Sequence, residues 1–208
     1  MRQRPLSSSV RCALKLRSNV KLFKFHNAPV FAHWTVLLAF PLGWATEKSL
    51  LGALVAQGAF LVLMLAHELG HAFVARRCRL PVYSLHLYAI HGLCSYGAPR
   101  REGSDVAVAW GGVAAQAVLF FIALLLAKGF SLTGGIPLSL APAFDVWVPI
   151  NMLIAFCNLL PIPPLDGAKA WRFIPLTFSS AMVWLKARFR RKPSARVVSM
   201  ELHRISKK

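Results

Sequence analysis

Acidic residues are scarce in this sequence: seven Asp and Glu stand against 25 Lys and Arg in 208 residues. Charged residues of both signs make up 15% of the chain, against about a quarter in a typical soluble domain. That is too little charge to cover an ordinary water-facing surface. A content of 56% hydrophobic residues also excludes a disordered, tail-like chain. Cysteine is sparse as well. Cys12, Cys78, Cys94 and Cys157 form no C-x-x-C pair and fall in different regions. That argues against a disulfide framework or a Cys-type zinc site and for free thiols. Residues 1–24 lack any acid. Their Ser and Arg content suits an organelle transit peptide, but a retained basic tail is the simpler reading. No secretory signal peptide is evident, because the first apolar run is followed by more membrane-like sequence.

The basic residues are not spread as nucleic-acid binding would require. Arg2, Arg4, Arg11, Lys15, Arg17, Lys21 and Lys24 form one cluster, Arg76 to Arg101 a second and Lys186 to Lys208 a third. Long apolar stretches separate them, and no single segment shows a basic stripe interleaved with stacking aromatics. This is the pattern of a polytopic membrane protein with basic cytoplasmic ends, so no nucleic-acid partner is expected. Four apolar segments follow in order: Val30–Ala45, Leu50–Val74, Val106–Ala127 and Val146–Leu160. With the N-terminus inside, spans two and four return the chain to the side of the basic clusters. Span three exits to the weakly charged Lys128–Phe144 loop. All three clusters then share the cytoplasmic side, as the positive-inside rule asks.

The expected class is therefore an all-α polytopic membrane protein, a bundle of about four to six transmembrane helices. A short β-strand or hairpin segment lies between the second and third spans, where Val82–Ile90 changes period and Gly92 and Gly97 punctuate a turn. Ser104 or Asp105 is a plausible cap for the third span. The organisation reads as a basic cytoplasmic segment at 1–28, a membrane core at 29–185 and a basic cytoplasmic tail at 186–208. The expected home is the bacterial cytoplasmic (inner) membrane, multi-pass, with both termini cytoplasmic. Ala168–Leu185 continues span four or forms a separate segment. Oligomeric state is not legible.

Two features carry chemistry. His67 and His71 lie four residues apart in a helical segment, one turn apart on one face, so both imidazoles can reach one metal. Glu68 sits beside that metal rather than on it, where it can take a proton from activated water; H-E-x-x-H is a zinc-hydrolase signature. Three ionisable residues within five positions of a membrane span are costly and need a use. The second feature is the break Pro161-Ile162-Pro163-Pro164-Leu165-Asp166-Gly167, since three prolines in four residues cannot continue a helix. Irregular backbone at membrane depth is tolerated only inside protein or along a wet cavity. Asp166 alone could cap the helix that resumes at Ala168. Beside an incomplete two-histidine site, metal binding is the stronger reading, because a catalytic zinc usually has three protein ligands.

Together, His67-Glu68-Leu69-Gly70-His71 and Asn158-Leu159-Leu160-Pro161-Ile162-Pro163-Pro164-Leu165-Asp166-Gly167 resemble the paired signatures of the site-2 protease family of intramembrane zinc metalloproteases. The resemblance covers about residues 30–185. It implies one zinc ion per chain held by His67, His71 and Asp166, with Glu68 as catalytic acid/base. It further implies that Asn158 positions substrate or the developing oxyanion; from residue chemistry alone Asn158 could equally be a helix–helix hydrogen-bond donor. The implied substrates are single-span membrane proteins cut in or near their transmembrane segments within the lipid bilayer, as in regulated intramembrane proteolysis. Two features depart from the family pattern. Gly111-Gly112 stands where a Gly-Pro pair is common, and His91-Gly92-Leu93 where a Gly-Gly pair is usual. Both bear on packing and substrate approach rather than on metal chemistry. The chain is too short for the PDZ or CBS domains of some members and reads as a minimal form.

Val82–Ile90 could present an edge that pairs with an extended substrate, or be an ordinary loop. His33 reads as interfacial, and His26, His86, His91 and His203 receive no catalytic role. Competing readings are a catalytically inert relative that binds transmembrane segments and, with less support, a metal transporter. A transporter should show repeated architecture with ligands in both halves, and the sequence has neither.

Overall fold

The computed structural model describes residues 19–88, 91–99 and 101–174. The expected tail from Lys186, most of Ala168–Leu185 and residues 1–18 lie outside these. Residues 1–171 form one compact unit and residues 172–208 another; the architecture below belongs to the first.

Among the described residues three helices are long and apolar enough to cross a membrane: α2 (Leu50–Arg77), α3 (Glu102–Leu132) and α4 (Ala141–Asn158). Even the shortest reaches about 27 Å at about 1.5 Å per residue, close to the hydrocarbon thickness. Ser49 caps α2, its hydroxyl accepting from the Gly52 N–H at 3.1 Å. Arg76 and Arg77 close the helix where its dipole favours cations. Glu102 and Asp105 lie in the first turn of α3, which starts at Glu102 with Arg101 in the cap position, slightly ahead of the expected Ser104 or Asp105. Helix α4 carries a widened π turn at Val146–Ile150, where Pro149 cannot donate to the regular ladder. Leu54, Phe121, Leu125 and Phe156 stand exposed on these helices, the arrangement of a protein whose solvent is lipid.

The expected first span, Val30–Ala45, is not one helix. It divides into the end of strand β2 (Ala28–His33), a 3₁₀ turn at Trp34–Leu38 and the nine-residue helix α1 (Ala39–Glu47). Apolar content alone cannot separate a buried strand from a buried helix. Val30, fully buried here, lies in a core with Ala28, Ala72 and Leu85 that packs the sheet on α2.

That sheet is also larger than the expected hairpin. Its order is β1 (Asn19–Phe25), β2 (Ala28–His33), β3 (Val82–Leu87) and β4 (Gly92–Tyr96). The β1/β2 and β3/β4 pairs are antiparallel and β2/β3 is parallel. Strand β1 was hidden by its charge: Lys21 and Lys24 interrupt the alternation, and most of the strand is exposed. Strand β3 lies inside the sheet, so the edge expected of Val82–Ile90 belongs to β4 instead.

Glycines set the closest helix contact. A Cβ on Gly111 of α3 would come within 2.7 Å of the Gly70 carbonyl oxygen on α2, and one on Gly70 would strike the Gly111 carbonyl. The two backbones therefore touch, as small residues permit in membranes. Ala59 and Leu63 of α2 meet Ala143 and Val146 of α4 in a second core.

Candidate metal centre

The α2–α3 crossing places both histidines against α3. His67 Nδ1 lies 2.9 Å from the Gln116 side-chain oxygen. His71 Nδ1 lies 2.7 Å from the Val108 carbonyl oxygen. An oxygen acceptor at each Nδ1 sets the tautomer: the proton sits on Nδ1 and the lone pair on Nε2. The two Nε2 atoms are 3.0 Å apart. Gly112 makes room for them, since a Cβ there would fall 2.5 Å from His71 Nε2.

Asp166 completes a triangle. Its Oδ2 lies 3.1 Å from each Nε2. It occupies the cap position of the short helix α5 (Gly167–Ala170), yet its side chain makes no cap hydrogen bond. The following Gly167 is seated so closely that a Cβ would strike the carbonyls of Leu159 and Leu160. Trp110 Nε1 ties α5 to α3 by donating to the Ala170 carbonyl at 3.2 Å. Three side-chain donor atoms thus converge on one point, where a single cation would be held by all of them. Tetrahedral zinc, with bonds of about 2.0–2.1 Å, spaces its donors about 3.3 Å apart. Two imidazoles and one carboxylate are a donor set that fits it.

Glu68 is buried beside the histidines, and its Oε2 has no hydrogen-bond partner among the described residues. One ligand atom each of His67, Glu68 and His71 lie within 4.8 Å of one another. The first residue of β4, Gly92, backs on this carboxylate, which occupies the space a side chain would need. These groups open into a cavity of about 470 Å³ that also takes in Asn158 and the β4 residues Leu93, Cys94 and Tyr96. Asn158 makes no helix–helix hydrogen bond among the described residues; its place is on the cavity wall. Burial pushes the Cys94 thiol up to about 12, so it stays protonated at neutral pH. At the rim, Tyr96 donates to Asp105 at 2.9 Å and the Lys169 ammonium lies 3.6 Å from the same carboxylate. Burial, then the Asp105 hydrogen bond, raises the Tyr96 phenol above its ordinary value.

The structure thus brings His67, Glu68, His71, Asp166 and Asn158 around one cavity. Sequence reasoning did not single out Gln116, the Val108 carbonyl, Gly112 or Gly92 as parts of it. Gln116 left a signal, as the one amide side chain in Val106–Ala127. The Val108 carbonyl left none, because every residue has one.

No family profile matches the chain. Rip3 of Mycobacterium tuberculosis, named as a zinc metalloprotease, is 31% identical over 175 residues, 76% of this chain and 44% of that protein. Zinc metalloprotease MJ0392 of Methanocaldococcus jannaschii is 23% identical over 159 residues, 75% of this chain and 45% of that protein. The chain therefore spans less than half the length of these two relatives. A solved structure, the site-2 protease from Methanocaldococcus jannaschii, shares the fold with a TM-score of 0.57 at 23% identity, covering 75% of this chain and 71% of that one.

Proposed function

The chain belongs to the site-2 protease family, and from that premise we propose that it is an intramembrane zinc endopeptidase. Its substrates are single-span membrane proteins, cut in or near their transmembrane segments. One observation carries the reading: the triangle of His67, His71 and Asp166 donor atoms beside a buried, unpartnered Glu68 carboxylate. Bound there, one zinc ion would supply Lewis acidity and lower the pKa of water.

The chain's own residues do the rest. Gln116 and Val108 hold the imidazoles in the tautomer that aims Nε2 inward. Glu68 Oε2, free of other bonds, takes the proton of the attacking water and returns it to the leaving amine. Asn158, on the opposite wall, donates to the substrate backbone. A helical substrate hides its carbonyls in hydrogen bonds, so it must unwind before it is cut. Among the described residues strand β4 pairs with β3 alone, and its residues line the cavity. An extended substrate segment adding to that edge would be held beside Glu68. The inert-relative reading gives the buried Glu68 carboxylate no task. In the bilayer both termini face the cytoplasm, a reading supported by the three basic clusters, and the membrane is the bacterial inner membrane.

The test compares the chain with its Glu68→Gln variant in membranes holding single-span reporter substrates. We expect zinc in both proteins and cleavage only with Glu68, by at least on the order of a hundredfold for a lost general base. Folded protein that binds no zinc overturns the reading.

A further inference from the structure

A second cavity, of about 690 Å³, lies between α1 and α4 with Ala56 and Phe60 of α2 in its floor. Its walls run from Ala39 to Glu47 on α1 and from Pro142 to Ile150 on α4, and the lining positions recur at three and four residues. That is the face one helix presents to another. One end of this slot leads to the metal centre. Phe60 and Ile150 line the slot, and one turn farther along the same helices Met64 and Ile154 line the metal cavity.

The other end carries Glu47 and Asp145. They are two of only seven acids in the chain, and they stand on opposite walls of a slot whose one other polar side chain, Thr46, is bonded back to its own helix. Neither joins an ion pair among the described residues. Asp145 is exposed and belongs to a helix apolar enough to cross the membrane. A carboxylate there is expensive to leave unpaired in lipid, and such residues face partners of opposite charge.

We infer that this slot receives the transmembrane helix of the substrate, and that Glu47 and Asp145 select a helix bearing Lys or Arg at their level. The inference rests on the protease reading above. The occupant's cationic head meets the carboxylates while its methylene stem lies along the apolar walls. The slot also sets a register. Trp147 Nε1 donates to the Ala59 carbonyl at 2.9 Å, which places the start of α4 beside Ala59. Glu68 lies roughly nine residues farther along α2, about 14 Å at about 1.5 Å per residue. A Lys or Arg that meets Asp145 therefore lies roughly ten residues of helix from the bond that is cut, and one that meets Glu47, which packs beside Gly52, lies farther still.

The test uses the full chain in membranes with a single-span reporter in which Lys, Gln or Glu is placed at successive positions. The readout is the ratio of cleavage for the Lys and Gln forms at each position. In parallel, the Glu68→Gln chain is crosslinked to reporters carrying a photoreactive residue in the same segment. Expected is a ratio of roughly tenfold that peaks about ten residues from the cut. It falls toward one in the Glu47→Gln/Asp145→Asn double variant and inverts in favour of Glu in Asp145→Lys. A ratio of one at every position in the unaltered chain overturns the inference. So does crosslinking that finds lipid, or the chain's own residues 175–208, in the slot. Cleavage without charge preference leaves the hydrolase standing and sinks the slot. Charge-dependent crosslinking to α1 and α4 with no cleavage of any reporter supports the slot and sinks the hydrolase.

Discussion

His67 and His71 reach the candidate metal centre from an unbroken helix of 28 residues, whereas Asp166 reaches it from a proline-rich turn between the spanning helix α4 and the short helix α5. The difference is one of reach in sequence. Two ligands four residues apart on a helix meet because of helix geometry alone. The third is about a hundred residues away, and its carboxylate arrives only if α4, the break and α5 all dock. Regular structure therefore supplies the half of the site that cannot drift. Irregular structure supplies the half that depends on packing, and here it is seated by backbone contacts at Gly167 and by the Trp110–Ala170 hydrogen bond.

The comparison can be broken from either side. The largest effect is expected at Gly112, on the histidine side. In Gly112→Ala the new methyl falls on both imidazoles, so two ligands move at once. Zinc affinity should drop by on the order of a thousandfold, more than the loss expected for a single outer partner, as read by competition with a chelator. On the Asp166 side, Gly167→Ala drives a methyl into two backbone carbonyls that cannot turn away. It should cost on the order of a hundredfold in zinc affinity through one displaced ligand, while helix content by circular dichroism stays unchanged. If Gly167→Ala instead proves the more damaging of the two, the regular half is not the anchor. Next comes Gln116→Ala, which frees His67 to turn and to change tautomer; about 10- to 100-fold weaker zinc binding is expected. Lys169→Met removes a half-exposed ion pair with Asp105 and should change stability by about 1 kcal/mol or less in a denaturation series. Gly58→Ala closes the series: its Cβ would meet nothing within 4 Å, so zinc binding should not change.

Legibility followed the same division. H-E-x-x-H announced itself because its meaning is local, and the long apolar stretches behind α2, α3 and α4 needed no tertiary knowledge to be seen. The proline break was legible as a disruption, and Asp166 as a ligand only beside the incomplete two-histidine site, since on its own residues a helix cap suited it equally. The Val30–Ala45 segment misled for a related reason. Its first residues belong to β2, whose less buried positions Phe31 and Ala32 are as apolar as the buried Val30, so the sequence shows no alternation to betray the strand. Strand β1 was obscured in the opposite way, by lysines on an exposed edge. Glu47 and Asp145 could not be joined from the sequence, because nothing in the chain's linear order puts them on facing walls.

By itself the sequence determined that this is a membrane protein and that two histidines and a glutamate stand on one helical turn. Those properties depend on composition and on spacings of a few residues, and they survive any arrangement of the helices. Only the tertiary structure decided which oxygens hold the Nδ1 protons of the histidines, which strand forms the sheet edge, and which acids share a slot. Each of those joins residues far apart in the chain. It rests on how closely Gly70 and Gly111 let two backbones approach, a distance set by packing in three dimensions.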